Sequence, residues 1–142
     1  MIRPAEAWDF VELTSLFQDF LSLKLTGTNY GMRELHDILL KSMYEQDTFC
    51  FVIIDKEDKP SGYLAGYISV DFRGNKSLFV YSAYSRTGLP YSNMEVICKY
   101  AESLECKSVT ALVDSDNKYV KVMLKKHKFN IDRYLISRKV GG

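Results

Sequence analysis

The stretch Leu78-Phe79-Val80-Tyr81-Ser82-Ala83-Tyr84-Ser85-Arg86-Thr87-Gly88-Leu89-Pro90-Tyr91 decides the fold. Its first half is apolar and aromatic, which is the composition of a strand, and it places Ser77 to Tyr84 in one. Thr87-Gly88-Leu89-Pro90 then breaks the chain. From Tyr91 to Leu104 the residues Met94, Ile97, Cys98, Ala101 and Leu104 return at helical steps and predict an inward face. Ser108 to Val113 reads as a second, short strand. Strand, helix and strand in this order require a parallel pairing through a crossover. The turn between the first strand and the helix is also the place for chemistry. A helix that starts just after a tight glycine turn presents unpaired N–H groups and the positive end of its dipole, a geometry that binds phosphate. Gly88 would let an anion approach closely and Arg86 adds charge; without a ligand, the same residues are a plain connection.

Toward the N-terminus, Ser61 to Phe72 alternates, with Leu64, Gly66, Ile68, Val70 and Phe72 on one side, and Arg73-Gly74-Asn75 is a tight turn. Thr48 to Ile54 carries the unbroken run Phe49-Cys50-Phe51-Val52-Ile53-Ile54, a strand buried on both faces, and Asp55 to Lys59 with Pro60 is a hairpin connection. These strands form an antiparallel meander. Before them, Phe10, Leu13, Phe17, Phe20 and Leu21 mark a helix that Gly27 stops. Thr28 or Asn29 caps a second helix with Met32, Leu35, Ile38, Leu39 and Met43 inward. Met1 to Arg3 is a short opening strand. Downstream, Asp114-Ser115-Asp116-Asn117 is a cap-rich turn, and Asn117 to His127 is a helix with Val120, Met123, Leu124 and His127 inward. Phe129 to Val140 closes the sheet. The expected fold is α/β: a mixed sheet, its antiparallel N-terminal meander joined to a parallel βα unit, with helices on both faces and one domain over 1–142.

Composition narrows the functional classes. The 142 residues match a prior of ~150 per domain. Nineteen Lys and Arg against 18 Asp and Glu leave a net charge of +1, so no chain-wide footprint for nucleic acid or membrane exists. A hydrophobic fraction of 46% excludes disorder as the main state. No apolar run approaches the ~18 residues of a membrane span, and Met1-Ile2-Arg3-Pro4-Ala5-Glu6, acidic and broken by Pro4, does not read as a secretory leader. Cys50, Cys98 and Cys106 are odd in number and lack metal or redox-dithiol spacing, which makes them small hydrophobes of a reducing, cytoplasmic protein with no metal site.

The spacing of the central segment resembles the GNAT superfamily of N-acetyltransferases. There, a strand leads into a turn of the form Gln/Arg-x-x-Gly-x-Gly/Ala, then a helix with a late Ala, a strand, an Asn, and a helix ending in Gly-Phe. Leu78 and Val80 stand at the strand positions, Gly88 at the first turn glycine, Tyr100-Ala101 late in the helix, and Leu104-Glu105-Cys106-Lys107 at its exit. Val109 to Val113 matches the next strand, Asn117 the Asn, and Phe129, twelve residues on, the Phe. Ile2-Arg3-Pro4-Ala5 looks like the family's opening strand. The likeness runs in register from Leu78 to Phe129 and in element order over the whole chain. The departures are Ser85 at the Gln/Arg position, Pro90 at the last turn position, Lys128 before the Phe, and Leu124 where the family carries the tyrosine that protonates the leaving thiolate. Pro90 lacks an N–H but suits the first position of a helix.

The resemblance implies transfer of an acetyl group from acetyl-CoA to a primary amine, on a small molecule or a peptide, by direct attack. It implies a diphosphate held on the backbone of Arg86, Thr87, Gly88, Leu89 and Tyr91, near Asn117. The pantetheine would lie beside Val80, Tyr81 and Ser82, with the backbone at Val80 and Tyr81 polarising the thioester carbonyl. Tyr119 and Tyr134 are candidate acids and Asp71 a candidate base, each with a plainer assignment to packing, surface or a strand end. His36 borders the expected substrate groove and His127 faces inward, both suited to structural positions. Lys121, Lys125, Lys126 and Lys128 form a solvated helix face that would also attract a coenzyme's ribose phosphate. The alternative implied by Ser85, Pro90 and Leu124 is a GNAT-fold binding or inhibitor module without turnover, using Tyr63, Tyr67, Tyr81 and Tyr84 against a protein partner. Nucleic acid and membrane are not expected partners, and the chain is expected to be a monomer or homodimer.

Overall fold

In the computed structural model, residues 1–23, 30–88, 91–111, 125, 128–130 and 138 are described. The apolar run at Thr48–Ile54 forms a strand, β2, buried at every residue. Its neighbours are the opening strand β1 (Ile2–Pro4) and β3 (Pro60–Val70), both antiparallel to it. β4 (Lys76–Ser85) continues the meander, and β5 (Ser108–Ala111) pairs with β4 in parallel, giving the order β1-β2-β3-β4-β5. The crossover between β4 and β5 carries helix α3 (Tyr91–Ser103). Helices α1 (Phe10–Ser22) and α2 (Met32–Ser42) precede the meander.

The doubly apolar β2 follows from helices on both sheet faces. Cys50, Val52 and Ile54 join Leu13, Leu16, Phe17, Leu35, Ile38 and Leu39 on the α1–α2 side. Phe49, Phe51 and Ile53 join Leu78, Met94, Ile97 and Ala101 on the α3 side. α3 ends in a Schellman motif: the Cys106 N–H donates to Ala101 O at 2.9 Å and the Glu105 N–H to Glu102 O at 2.9 Å, with Glu105 left-handed at φ 63°.

Several expectations are corrected in detail. The cap of α2 is Gly31, whose N–H donates to Glu34 Oε2 at 2.9 Å; Thr28 and Asn29 lie outside the described residues. Phe10 opens α1 and stacks on His36, ring centroids 5.0 Å apart, which leaves it partly exposed rather than in the core. β3 ends at Val70, so Val70 and Phe72 project past the packed layers and are exposed. Cys98 is exposed because the buried stripe of α3 centres on Ile97 with Asn93, Met94 and Ala101 about it; at about 100° per residue, Cys98 falls beyond its edge.

The thiols therefore differ. Burial pushes the Cys50 thiol up to about 12, and Cys106 is also buried. Cys98 is raised as well, by partial burial and then by Glu95 and Glu102, but it is accessible. A thiol-reactive disulfide reagent at pH 8 is expected to label one cysteine of the native protein, and Cys98→Ser is expected to abolish that labelling. Labelling of more than one thiol without denaturant would contradict this packing.

Candidate functional site

The site begins with a break in the β3–β4 ladder. Ala65 pairs with Ser82, but the next residue, Gly66, pairs with Val80, so the register skips Tyr81. Tyr81 is the extra residue of a β-bulge, and a bulge leaves its extra residue outside the ladder. The bulge also shifts parity. Val80 packs on the α3 side, whereas Tyr81 and Ser82, though consecutive, both face α1 and α2. Gly66 is the glycine this geometry requires: a Cβ there would sit 1.9 Å from Phe79 O and 2.9 Å from the Tyr81 nitrogen. The last described β4–β5 pair is Val80 with Ala111. β4 runs on to Ser85 with no β5 partner among the described residues. The bulged peptide thus follows directly on the last described β4–β5 pair.

A tyrosine layer covers the bulge on the α1–α2 side. The Tyr81 ring lies 4.6 Å from that of Tyr30 and 5.9 Å from that of Tyr67. Tyr30 stacks on Phe20 at 5.9 Å. Ser82, nearly buried, accepts a hydrogen bond from Tyr30 Oη at 3.0 Å and lies 2.8 Å from Tyr63 Oη. Tyr63 is fully buried, which removes it from the expected aromatic surface, while Tyr67, Tyr81 and Tyr84 are half-buried against the core. Ser82 likewise turns its side chain to these tyrosines.

The turn before α3 differs from the expected cradle. The Arg86 N–H donates to Ser61 O at 2.8 Å, so it is occupied. The Arg86 guanidinium pairs with Asp19 on α1, its Nε donating to Oδ2 at 2.7 Å, and reaches Ser15 Oγ at 3.3 Å. Arg86 therefore ties the turn to α1 and its charge is offset. The Ser85 hydroxyl donates to Gly88 O at 2.7 Å and accepts from the Thr87 N–H at 3.3 Å. Gly88 has φ 85°, the left-handed region, and a Cβ added there would meet nothing within 4 Å. Its N–H has no acceptor among the described residues, so Gly88 is the open point of the turn. Tyr91 is the first residue of α3; Leu89, Asn117, Tyr119 and Tyr134 lie outside the described residues.

Asp71 belongs elsewhere. Its Oδ1 accepts the N–H groups of Arg73 and Asn75, each at 2.9 Å, and its own N–H donates to Asn75 O. Asp55 does the same in the β2–β3 hairpin, accepting from Glu57 at 2.9 Å and Lys59 at 3.0 Å. Both are turn clamps, and the five residue steps along β4 from Lys76 to Tyr81 put roughly 17 Å between the Asp71 hairpin and the bulge. The structure does not bring Asp71 to the site. His36 bonds Thr14 Oγ1 at 2.8 Å and packs on Phe10 and Phe17, a structural position. Sequence reading missed Tyr30 as a neighbour of the bulge, and missed the part-buried pair between Arg3 of β1 and the buried Asp9, joined by two bonds of 2.7 and 2.9 Å.

Among the described residues no helix is long and apolar enough to cross a membrane, and no group of His, Cys, Asp or Glu is arranged to hold a metal. No family model matches the chain, and no curated protein matches it in sequence. Solved structures match it along nearly its whole length. An aminoglycoside 6'-N-acetyltransferase from Acinetobacter baumannii aligns with a TM-score of 0.73 at 11% identity, over 99% of this chain and 97% of that one. An aminoglycoside acetyltransferase from an uncultured soil metagenomic sample, in complex with sisomicin, aligns at 0.69 and 15% identity, over 99% and 95%. A transcriptional regulator from Bacillus halodurans aligns at 0.70 and 9% identity, over 98% of each. The chain shares the fold of these acetyltransferases and of the regulator. Lys128, the residue before Phe129, has a left-handed backbone at φ 58°, the region that favours glycine.

Proposed function

We propose that the chain is an acetyl-CoA-dependent N-acetyltransferase acting on a primary amine, small molecule or peptide, by direct attack. The bulge at Tyr81 carries this reading: it offers a peptide outside the β3–β4 ladder, next to the last described β4–β5 pair, with Gly66 shaped to it. Acetyl-CoA supplies the activated acyl carbon. The Tyr81 N–H would polarise the acyl carbonyl, and a fixed donor of this kind acts without reorganisation during reaction. Gly88 and the start of α3 would hold the diphosphate, with Arg86 remaining on Asp19 as a strut. Much of the rate enhancement would come from holding amine and acyl carbon together. The fold shared with two aminoglycoside acetyltransferases supports the reading.

A second reading, a binding module without turnover, draws on Leu124 at the family's tyrosine position and on the regulator that shares the fold. Radiolabelled acetyl-CoA incubated with benzylamine, spermidine and a lysine-bearing peptide separates the two. Acetylated product in proportion to enzyme is expected. Absence of label in all three amines, from folded protein, would favour the binding module.

A further inference from the structure

A buried hydroxyl anchors the strand immediately after the bulge. Ser82, the residue following Tyr81, is 3% exposed, and its Oγ stands between two tyrosines. It accepts a hydrogen bond from Tyr30 Oη at 3.0 Å and lies 2.8 Å from Tyr63 Oη. Tyr63 is fully buried on β3, and Ser82 is its one hydrogen-bond partner among the described residues. Burial raises both phenols above their ordinary titration value, against the Ser82 bonds, so both keep their protons at neutral pH. A buried hydroxyl is seldom left unpaired, so any arrangement of β4 that moves Ser82 away is penalised. In a ladder without the bulge, with Gly66 still facing Val80, Tyr81 would stand opposite Ala65 and Ser82 opposite Leu64. Ala65 belongs to the α1–α2-side cluster and Leu64 to the α3-side cluster. Ser82 would therefore cross to the other face of the sheet and leave Tyr63 behind. The Ser82–Tyr63 bond exists in the bulged register alone.

We propose that Ser82 is a positioning residue for the acyl transfer: clasped by Tyr63 and Tyr30, it fixes the Tyr81 backbone outside the β3–β4 ladder. This rests on the acetyltransferase reading above. The Ser82 side chain meets its two tyrosines and acts through the residue it is bonded to, Tyr81. A donor aimed at developing negative charge is effective when its direction is set before the reaction. The Tyr81 backbone can shift only as far as the clasp lets Ser82 move. The two arms of the clasp come from different layers. Tyr63 rises from β3, and Tyr30 comes from the segment before α2, its ring stacked on Phe20 of α1 at 5.9 Å. Tyr30 also lays its ring 4.6 Å from that of Tyr81, so one residue holds the bulge by its hydroxyl and by its face.

Amide hydrogen exchange on the free protein reads the clasp, and kinetics read its use. In Ser82→Ala, the amides at positions 80 to 82 are expected to exchange about tenfold faster relative to those of Phe51 and Val52, the factor that one net hydrogen bond corresponds to. Its kcat is expected to fall about tenfold with the KM for acetyl-CoA unchanged, less than the roughly 10²-fold of deleting a fixed donor outright. A second variant, Tyr63→Phe with Ser82→Ala, removes both buried partners together, a change that costs little stability. Its melting temperature is expected to return toward wild type while its kcat stays low. Circular dichroism establishes that each variant folds. Return of melting temperature and kcat together in the double variant would show that Ser82 serves stability alone and would overturn the proposal. Unchanged exchange at positions 80 to 82 in Ser82→Ala would also overturn it and leave acetyl transfer standing. A wild-type protein that acetylates none of benzylamine, spermidine and the lysine-bearing peptide would overturn the acetyltransferase reading, and the exchange result would still decide whether Ser82 anchors the bulge.

Discussion

Gly66→Ala is expected to lower the melting temperature by about 10 °C and to remove acetyl-CoA binding from whatever remains folded. The added Cβ would lie 1.9 Å from Phe79 O, a backbone atom held in the β3–β4 ladder, so no side-chain rotation relieves the clash. Overpacking costs about 1–3 kcal/mol and occasionally more; a backbone collision inside a sheet belongs at the upper end. At about 2–4 °C per kcal/mol for a domain of this size, the melting shift follows. The strands can also escape by flattening the bulge, which would return Tyr81 to the ladder and flip every following residue of β4 to the other face. Either route damages the site. A Gly66→Ala protein with wild-type melting and wild-type ligand binding would refute the bulge as described.

Arg3→Ala is expected to be comparably severe, through a different cause. Asp9 is 3% exposed, receives two bonds from Arg3, and accepts the Glu6 N–H at 2.8 Å. Burial alone would push its carboxyl up. The Arg3 donors, the Glu6 amide and the Arg3 charge together outweigh burial and hold it below the ordinary carboxylate value. Breaking a fully buried pair typically costs about 3–5 kcal/mol; here Asp9 is buried but Arg3 is 31% exposed, so the loss falls at or below the lower end of that range. The pH dependence should also change sign. In the wild type, the folded value lies below the unfolded one, so this stability is present above about pH 4 and is lost as pH falls through the depressed folded value. Without Arg3, burial is the largest influence left and the folded value rises above the unfolded one. Arg3→Ala should then gain stability as pH falls from neutrality toward about pH 4. Urea unfolding of both proteins between pH 7 and pH 3.5 checks this. Parallel pH curves would show that Asp9 is not held by Arg3.

Much of the architecture was legible because it rests on periodicity. The run at Phe49 to Ile54 announced a strand covered on both faces, and Met94, Ile97 and Ala101 announced the crossover helix that makes β4 and β5 parallel. What escaped depends on contacts between residues distant in sequence or on a single residue out of step. Arg86 looked like an anion ligand because its partner, Asp19, lies 67 residues away. Asp71 looked free because the hairpin that employs it closes only in three dimensions, although the matching Asp55 turn offered a precedent in the same chain. The bulge left two faint marks: Gly66 inside a strand, which often signals close backbone approach, and a change of parity between Val80 and Ser82. Tyr30 could not be linked to Ser82 and Tyr63 from spacing, since the three come from a loop and two strands.

The bulge at Tyr81 and the turn at Gly88 are proposed to receive acetyl-CoA together. Isothermal titration of acetyl-CoA into the folded wild-type protein tests this most directly. The expected result is a saturable heat with one site per chain, lost in Gly66→Ala. Absence of heat at millimolar acetyl-CoA, from protein that still melts cooperatively, would contradict it.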